Sequence, residues 1–118
     1  MTAKQIFERL RKRALSYPAA TEDHPWGETA IKVNGKVFVF LGADGLSVKL
    51  PKSRDMAHDL PFAEPTHYGL GKHGWVTVHF GGKAKPPLNL IEAWIDESYR
   101  AIAPKKYAAS LSARSRPS

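Results

Sequence analysis

Apolar side chains recur at helical spacing near both ends of the chain. In the N-terminal stretch they lie three or four positions apart, as on one face of an amphipathic helix. They are Ile6, Phe7, Leu10 and Ala14. Thr2 and Gln5 stand at the spacing of a capping box, and Pro18 cannot continue a helix. The pattern therefore predicts a first helix that begins after Thr2 and ends before Pro18.

The C-terminal stretch predicts a second long helix over residues 90–102, with Ser98 inside its apolar arc. The apolar members of that arc are Leu90, Ile91, Trp94, Ile95, Ala101 and Ile102. Asn89 and Glu92 form a second capping box, and Pro104 ends the helix. From position 108 the residues are small, polar and basic. We therefore expect one domain over 1–107, followed by a flexible basic tail over 108–118.

Between the helices the pattern favours strands. Asn34-Gly35 separates two apolar stretches, 29–33 and 36–41, and is typical of a two-residue type I′ hairpin turn. That turn fixes the register, so that positions 29, 31 and 33 face positions 40, 38 and 36. The side toward the core is then expected to hold Ile31, Val33, Phe38 and Phe40, and the opposite side Ala30, Lys32, Val37 and Val39.

A third strand is predicted over residues 46–50 and a fourth over 75–80. A three-residue loop before the third strand, with Gly45 in the left-handed conformation, places Val48 on the face of Phe40. A loop of two or four residues places Lys49 there instead. We prefer the three-residue loop, because it turns the apolar residues of the third strand inward. The fourth strand alternates cleanly, which directs Trp75 away from the core.

These elements predict an α+β fold, a two-layer sandwich in which the N- and C-terminal helices cover one face of an antiparallel sheet of four or five strands. Residues 52–60 predict a short helix that begins at Ser53, and residues 19–27 and 61–74 read as loops. The second face of the sheet is expected to be open to water. It would carry Lys32, Val37, Val39, Lys49, Trp75, Thr77 and His79.

Charge and composition narrow the possible partners. The formal net charge is +7, which favours an anionic partner such as nucleic acid. The chain has no cysteine, which excludes disulfides, thiol nucleophiles and cysteine zinc sites and fits a reducing compartment. It has neither a signal-peptide pattern nor an apolar run long enough to cross a bilayer. We therefore expect a cytoplasmic monomer with no membrane partner.

Catalytic and metal-binding patterns are poor. The adjacent carboxylates Glu22-Asp23 and Asp96-Glu97 do not converge on a substrate, and Ser98 has no neighbouring base. His67, His73 and His79 are spaced by six residues, which matches no ordinary ligand motif. No glycine-rich loop follows a strand and opens a helix. The sequence thus predicts no catalytic residue, no metal site, no cofactor and no enzyme activity.

Several segments, taken in order, resemble the MmcQ/YjbR family. They are His24-Pro25-Trp26-Gly27-Glu28, the hairpin Ile31 to Phe38, Leu46-Ser47-Val48-Lys49-Leu50, Tyr68-Gly69-Leu70-Gly71-Lys72-His73-Gly74-Trp75-Val76, and Trp94-Ile95-Asp96-Glu97-Ser98-Tyr99. The resemblance implies a fold similar to CyaY, the bacterial frataxin, commonly described as a double-wing DNA-binding fold. It also marks the family's recurring polar and aromatic positions, here Lys49, Tyr68, Lys72, Trp75 and Tyr99. An extra glycine, Gly74, separates His73 from Trp75 relative to the usual family spacing.

The leading hypothesis is a nucleic-acid-binding protein, for DNA above all, with low sequence specificity. It would use the basic and aromatic sheet face, with the hairpin tips at Asn34-Gly35 and Asp44-Gly45 as two wings. Trp75 would offer a surface on which bases stack. The expected contact residues are Lys32, Lys36, Lys49, Lys52, Arg54, Lys72 and Trp75.

Two alternatives stay open. The chain could be a protein-interaction module that docks a partner on an open apolar patch of Val37, Val39 and Trp75. It could instead be an enzyme or a small-ligand protein built around a pocket of Trp26, Tyr68, Lys72 and Tyr99.

Overall fold

In a computed structural model, residues 2–67, 69–82 and 85–114 are described. The helices are α1 (Ala3–Leu15), α2 (Arg54–His58), α3 (Leu88–Ile102) and α4 (Lys105–Arg114), with 3-10 turns at Pro25–Gly27 and Leu70–His73. The strands are β1 (Ala20–Asp23), β2 (Thr29–Val33), β3 (Lys36–Leu41), β4 (Gly45–Lys49), β5 (Ala63–Pro65) and β6 (Trp75–His79). In this part of the chain no helix has the length and apolar character needed to cross a membrane.

The strands form one antiparallel sheet in the order β1-β2-β3-β4-β6-β5. Helices α1 and α3 pack on one face and against each other. This confirms the predicted α+β sandwich with terminal helices. The sheet has six strands rather than four or five, because β1 and β5 form its two edges where loops were predicted.

The core lies between the helices and the first face of the sheet. Helix α1 contributes Leu10 and Ala14, and its predicted capping box between Thr2 and Gln5 is present. Helix α3 supplies the largest buried side chain, Trp94. The strands supply Ile31, Val33, Phe38, Val39, Leu41, Leu46, Val48, Val76 and Val78.

The β2–β3 hairpin departs from the predicted register. Val33 faces Lys36, as the Asn34-Gly35 turn requires, and both turn residues have positive φ. The register then shifts between Ile31 and Lys32, so that Ile31 faces Val39 rather than Phe38. This bulge leaves Phe38 and Val39 both buried in the core, and the predicted inward position of Phe40 and outward position of Val39 are wrong.

The loop between β3 and β4 is also different from the one preferred above. Leu41 pairs with Leu46, and Gly42 N–H donates to Gly45 O at 2.8 Å, so the turn proper is Ala43-Asp44. Gly45 is not in the left-handed conformation. The loop between the paired residues Leu41 and Leu46 has four residues, and a loop of even length places Lys49 on the same face as Phe40. Because the bulge has moved Phe40 to the outer face, Lys49 also points outward. The predicted inward side of β4 is therefore confirmed, although the reason given for it is wrong.

The C-terminal part of the chain differs from the prediction in two ways. Helix α3 begins at Leu88 with Pro87 at its N-cap position and no capping side chain, so the predicted capping role of Asn89 is wrong. After Pro104 the chain re-enters a helix, α4, and Tyr107 and Leu111 pack against the core. Helix α4 thus extends seven residues into the segment predicted to be a tail, through Arg114; positions 115–118 lie outside the described residues.

Candidate nucleic-acid interface

One end of the sheet gathers most of the predicted basic contacts. In the antiparallel register, the end of β4 at Lys49 lies beside the start of β6 at Trp75 and near the start of β3 at Lys36. Lys72 precedes β6, while Lys52 and Arg54 follow β4, so they all belong to the same end. We call this region the basic end of the sheet, made of Lys36, Lys49, Lys52, Arg54 and Lys72.

The backbone at Lys49 is held by a side chain from α3. Continuing the β3–β4 register would pair Lys49 with Phe38, but the hydroxyl of Ser98 stands between the two strands. Ser98 Oγ accepts a hydrogen bond from Lys49 N–H at 2.9 Å and donates one to Phe38 O at 2.6 Å. Ser98 is fully buried and is the polar residue in the core. It satisfies two backbone groups that the bulge in β3 would otherwise leave unpaired.

The turn that carries Lys52 is held by the neighbouring residue of α3. The carboxylate of Glu97 accepts hydrogen bonds from Lys52 N–H at 2.9 Å, Ser53 N–H at 3.0 Å and Ser53 Oγ at 2.6 Å. Arg54 N–H donates to Leu50 O at 3.2 Å. These contacts occupy the acceptors of Glu97 with the backbone and the serine, and the side chain of Lys52 remains exposed.

Lys72 lies in the second 3-10 turn, which two glycines border. Gly69 and Gly74 have φ values of 78° and 91°, in the left-handed region that favours glycine. Leu50 N–H donates to Gly74 O at 2.8 Å, which fastens this turn to the end of β4. The aliphatic part of Lys72 lies over Gly69, so a side chain at that position would meet it.

The charges at the basic end are largely unpaired. Lys36, Lys49, Lys52 and Lys72 form no ion pair within the described residues. The contact of Arg54 with Asp55 is long, at 3.8 Å, and Asp55 is 96 % exposed, so that pair is weak.

Lys32 differs from the other predicted contacts. Its ammonium forms an ion pair with Asp23 on the neighbouring strand at 2.7 Å. That pair and a backbone hydrogen bond from His24 lower the pKa of Asp23. Lys32 lies on the outer sheet face as predicted, but its charge is already compensated.

The expectation that Trp75 faces water is wrong. Trp75 pairs with Lys49 on the neighbouring strand, and its side chain lies on the outer face of the sheet. The residue is nevertheless only 8 % exposed. Its ring packs against Phe40, with 5.7 Å between ring centroids. The segment before β6 returns along the strand, where Thr66 N–H donates to Trp75 O at 3.1 Å. Trp75 therefore presents no free ring surface for a base.

The same burial removes the apolar patch proposed for protein docking. Val39 is fully buried on the core side and Trp75 is nearly so, which leaves the half-buried Val37. Among the described residues, the large apolar side chain that is exposed to solvent is that of Met56 on α2, at 49 %.

The two predicted wings lie at opposite ends of the sheet. Consecutive turns of an antiparallel meander alternate between its ends, so Asn34-Gly35 is at the basic end and Ala43-Asp44 is at the other. The two tips therefore cannot enter the same groove side by side, and of the two it is Asn34-Gly35 that lies at the basic end.

The predicted ligand pocket is not assembled around Tyr99. Tyr99 is fully buried, donates its hydroxyl to Pro18 O at 2.7 Å, and stacks on Tyr17 with 4.6 Å between centroids. Burial raises the pKa of Tyr99 and raises that of Tyr17 to about 12. Tyr68 and the side chain of Trp26 lie outside the described residues. Tyr99 is thus a core residue.

The three histidines considered for a metal site do not all contact the same residues. His67 and His79 both contact Glu64 Oε1, at 3.4 and 3.3 Å, whereas His73 is in the turn at the basic end. Within the described ranges, no three His, Cys, Asp or Glu side chains are placed to hold a metal ion together.

Comparison with known families gives one finding. The family model described as YjbR matches residues 15–101, which runs from the end of α1 to the last turn of α3. A search of curated proteins gives no significant match. The matched region contains every residue of the basic end together with Glu97 and Ser98.

Proposed function

The chain belongs to the YjbR family, and on that premise we propose that it binds nucleic acid, DNA in the first place, through the basic end of its sheet. Binding is directed at the phosphate backbone and has low sequence specificity. The contacts are Lys36, Lys49, Lys52, Arg54 and Lys72, a subset of those expected from the sequence. Lys32 and Trp75 are left out, because the first is ion-paired and the second is buried.

The observation that carries the proposal is the group of four unpaired lysines around one strand end. A protein with 11 acidic residues could have neutralised such a group, and it neutralises Arg9, Arg11, Lys32 and Arg100 elsewhere. Unpaired lysines gathered at one end of a sheet favour an anionic partner. Phosphate is the anion that recurs along a nucleic-acid backbone.

Low specificity follows from the chemistry of the contacts. Lysine ammoniums are point charges, without the planar fork by which arginine or an amide reads two atoms of one base edge. They hold phosphates regardless of sequence. Arg54 is the contact with that fork, and it follows a turn rather than projecting from a long helix.

We further propose that the chain acts by binding and not by catalysis. The carboxylate pairs considered for acid–base chemistry are committed to other contacts: Glu22 to Arg11 and Asp96 to Arg100. The hydrogen bond and charge of Arg11 lower the pKa of Glu22, which keeps that carboxylate ionised at neutral pH and unsuited to act as an acid.

The test is a fluorescence-anisotropy titration with labelled duplex and single-stranded DNA and RNA of equal length at several salt concentrations. The five proposed phosphate contacts give a slope of roughly −4.5 for log K against log [salt] on duplex DNA. Replacing Lys49 or Lys72 by glutamine removes about one contact and brings the slope to about −3.6.

The matched control is Lys4→Gln. Lys4 is an exposed lysine in the first turn of α1 that forms no ion pair with any described residue, and it lies one turn from Phe7, toward the opposite end of the sheet. It removes the same charge and should leave the slope close to the wild-type value. No binding at low salt would refute the proposal, and equal effects of all three variants would reduce it to non-specific attraction by net charge.

A further inference from the structure

The end of the sheet opposite the basic end contains a cleft of about 890 Å³ that the proposed nucleic-acid contacts do not use. It lies between the first 3-10 turn and the segment that leads into the second one, and its lining includes Phe7 of α1 as well as residues of the outer sheet face. Phe40 and Leu70 supply apolar surface to its lining. Its volume is in the range of small-molecule sites.

The lining carries two carboxylates without a partner. Glu28 and Asp44 make no ion pair and no side-chain hydrogen bond within the described residues. In a chain with 18 basic residues against 11 acidic ones, most carboxylates do have such contacts. The lining of the cleft therefore includes two carboxylates that make no ion pair within the described residues.

The histidines that line the cleft do not pair with Glu28 or Asp44. His67 and His79 line it, but both contact Glu64, at 3.4 and 3.3 Å. Their interaction is with that carboxylate, and Glu28 and Asp44 remain available.

A row of hydroxyls from adjoining strands adds hydrogen-bonding capacity. Thr77 Oγ1 is 2.9 Å from Ser47 Oγ and 3.0 Å from Thr66 Oγ1, and all three residues line the cleft. Three hydroxyls hold three hydrogens, and the two bonds between them use two. One donor and several lone pairs remain for a ligand.

We propose that this cleft binds a small organic cation with an apolar body. The ammonium group lies toward Glu28 and Asp44, the apolar body lies over Phe40 and Leu70, and the hydroxyl row accepts or donates a hydrogen bond. Charge complementarity selects a cation over an anion of the same shape. The site is separate from the basic end, so this proposal stands or falls independently of nucleic-acid binding.

The experiment compares phenethylammonium with phenylacetate, two probes with the same ring and opposite charge. Each is titrated into the ¹⁵N-labelled full chain and followed by amide chemical shifts. We expect phenethylammonium to shift the amides of Ser47, Thr77 and His79 and to bind at least about fivefold more tightly than phenylacetate. The double variant Glu28→Gln/Asp44→Asn should weaken phenethylammonium about fivefold or more, as expected for the loss of two exposed ion pairs.

Asp59→Asn is the control, since Asp59 is an exposed carboxylate outside the cleft that also has no ion pair in the described part of the chain. It should leave the affinity unchanged. Equal binding of the two probes, shifts that lie away from the cleft, or an undiminished affinity in the double variant would each overturn the proposal. Unchanged amide spectra of the free variants would confirm that the fold is intact.

Discussion

Replacing Ser98 by alanine removes the hydroxyl that joins β3, β4 and α3. In the native protein this hydroxyl accepts from Lys49 N–H and donates to Phe38 O. Alanine fits the space and keeps the helix, so the change isolates the two hydrogen bonds. The backbone N–H and carbonyl then face each other across strands that the bulge holds apart.

The expected cost follows from those two groups. A buried backbone group that loses its partner costs about 1–3 kcal/mol, so two cost about 2–6 kcal/mol. Alanine is a better helix former than serine by about 0.5 kcal/mol, which offsets a little of this. The free energy of unfolding should therefore fall by about 2–5 kcal/mol. Most single domains have only about 5–15 kcal/mol in total, so the effect is large.

Urea unfolding followed by tryptophan fluorescence measures the change. With a slope of about 2 kcal/mol per molar urea, the midpoint should fall by roughly 1–2.5 M. Native-state hydrogen exchange gives a local readout, because the Lys49 amide should exchange faster in the variant than in the wild type.

The matched control is Ser47→Ala, which removes a strand hydroxyl that bonds to Thr77 and to no backbone group. It should cost about 0.5–1.5 kcal/mol. If Ser98→Ala costs no more than Ser47→Ala, and the Lys49 amide keeps its protection, then the strands close to form the direct hydrogen bond and the bridging role assigned to Ser98 is refuted.

Three further changes test other parts of the structure. Gly45→Ala should destabilise the protein by about 3 kcal/mol in urea unfolding, because a Cβ would clash with the backbone oxygen of Val78. Its control is Gly81→Ala, where a Cβ meets nothing within 4 Å, and this change should alter the stability by less than about 0.5 kcal/mol. Glu97→Gln should cost about 1–2 kcal/mol and speed amide exchange in the turn after β4, since one amide oxygen replaces a carboxylate that accepts three hydrogen bonds; unaltered exchange there would contradict it. Burial raises the pKa of Tyr17 from 10.0 to about 12, so its contribution to stability is complete below pH 10 and is lost as the pH rises through 12. The loss at pH 11 should be about 1.4 kcal/mol relative to a Tyr17→Phe variant, and identical pH profiles of the two would contradict the raised pKa.

The turn of the β2–β3 hairpin could be predicted, and its register could not. Asn34-Gly35 encodes the turn locally, because both residues accept positive φ. Residues 37–41 are all apolar, however, so no polar residue marks which side of β3 faces water. The bulge is decided by distant contacts, including the hydroxyl of Ser98 on Phe38 O. A sequence pattern with period two cannot report such a contact.

The two edge strands were missed for a related reason. Residues 20–23 and 63–65 are short and contain charged residues or proline, as edge strands often do. They pair with the sheet on one side only, and they carry little of the apolar alternation that identifies a strand. Sequence periodicity therefore treats them as loops.

The lysines of the candidate site could be placed from the sequence, whereas the burial of Trp75 could not. Alternation along β4 and β6 puts Lys49 and Trp75 on the outer face, which is their observed side. Burial depends also on what lies above that face. Here Phe40, moved outward by the bulge, packs against Trp75. The same register shift that was missed in the hairpin thus removed the expected stacking surface.

Hydrogen bonds from α3 join two of the sequence segments that resemble the MmcQ/YjbR family. Leu46-Ser47-Val48-Lys49-Leu50 meets Trp94-Ile95-Asp96-Glu97-Ser98-Tyr99 through Ser98 at Lys49 and through Glu97 just beyond it. Within the second segment, Trp94 and Tyr99 fill the core. Glu97 and Ser98 use their polar atoms on backbone groups of β3, β4 and the following turn. Ser98 and Glu97 thus hold the backbone at two of the lysines of the basic end, Lys49 and Lys52.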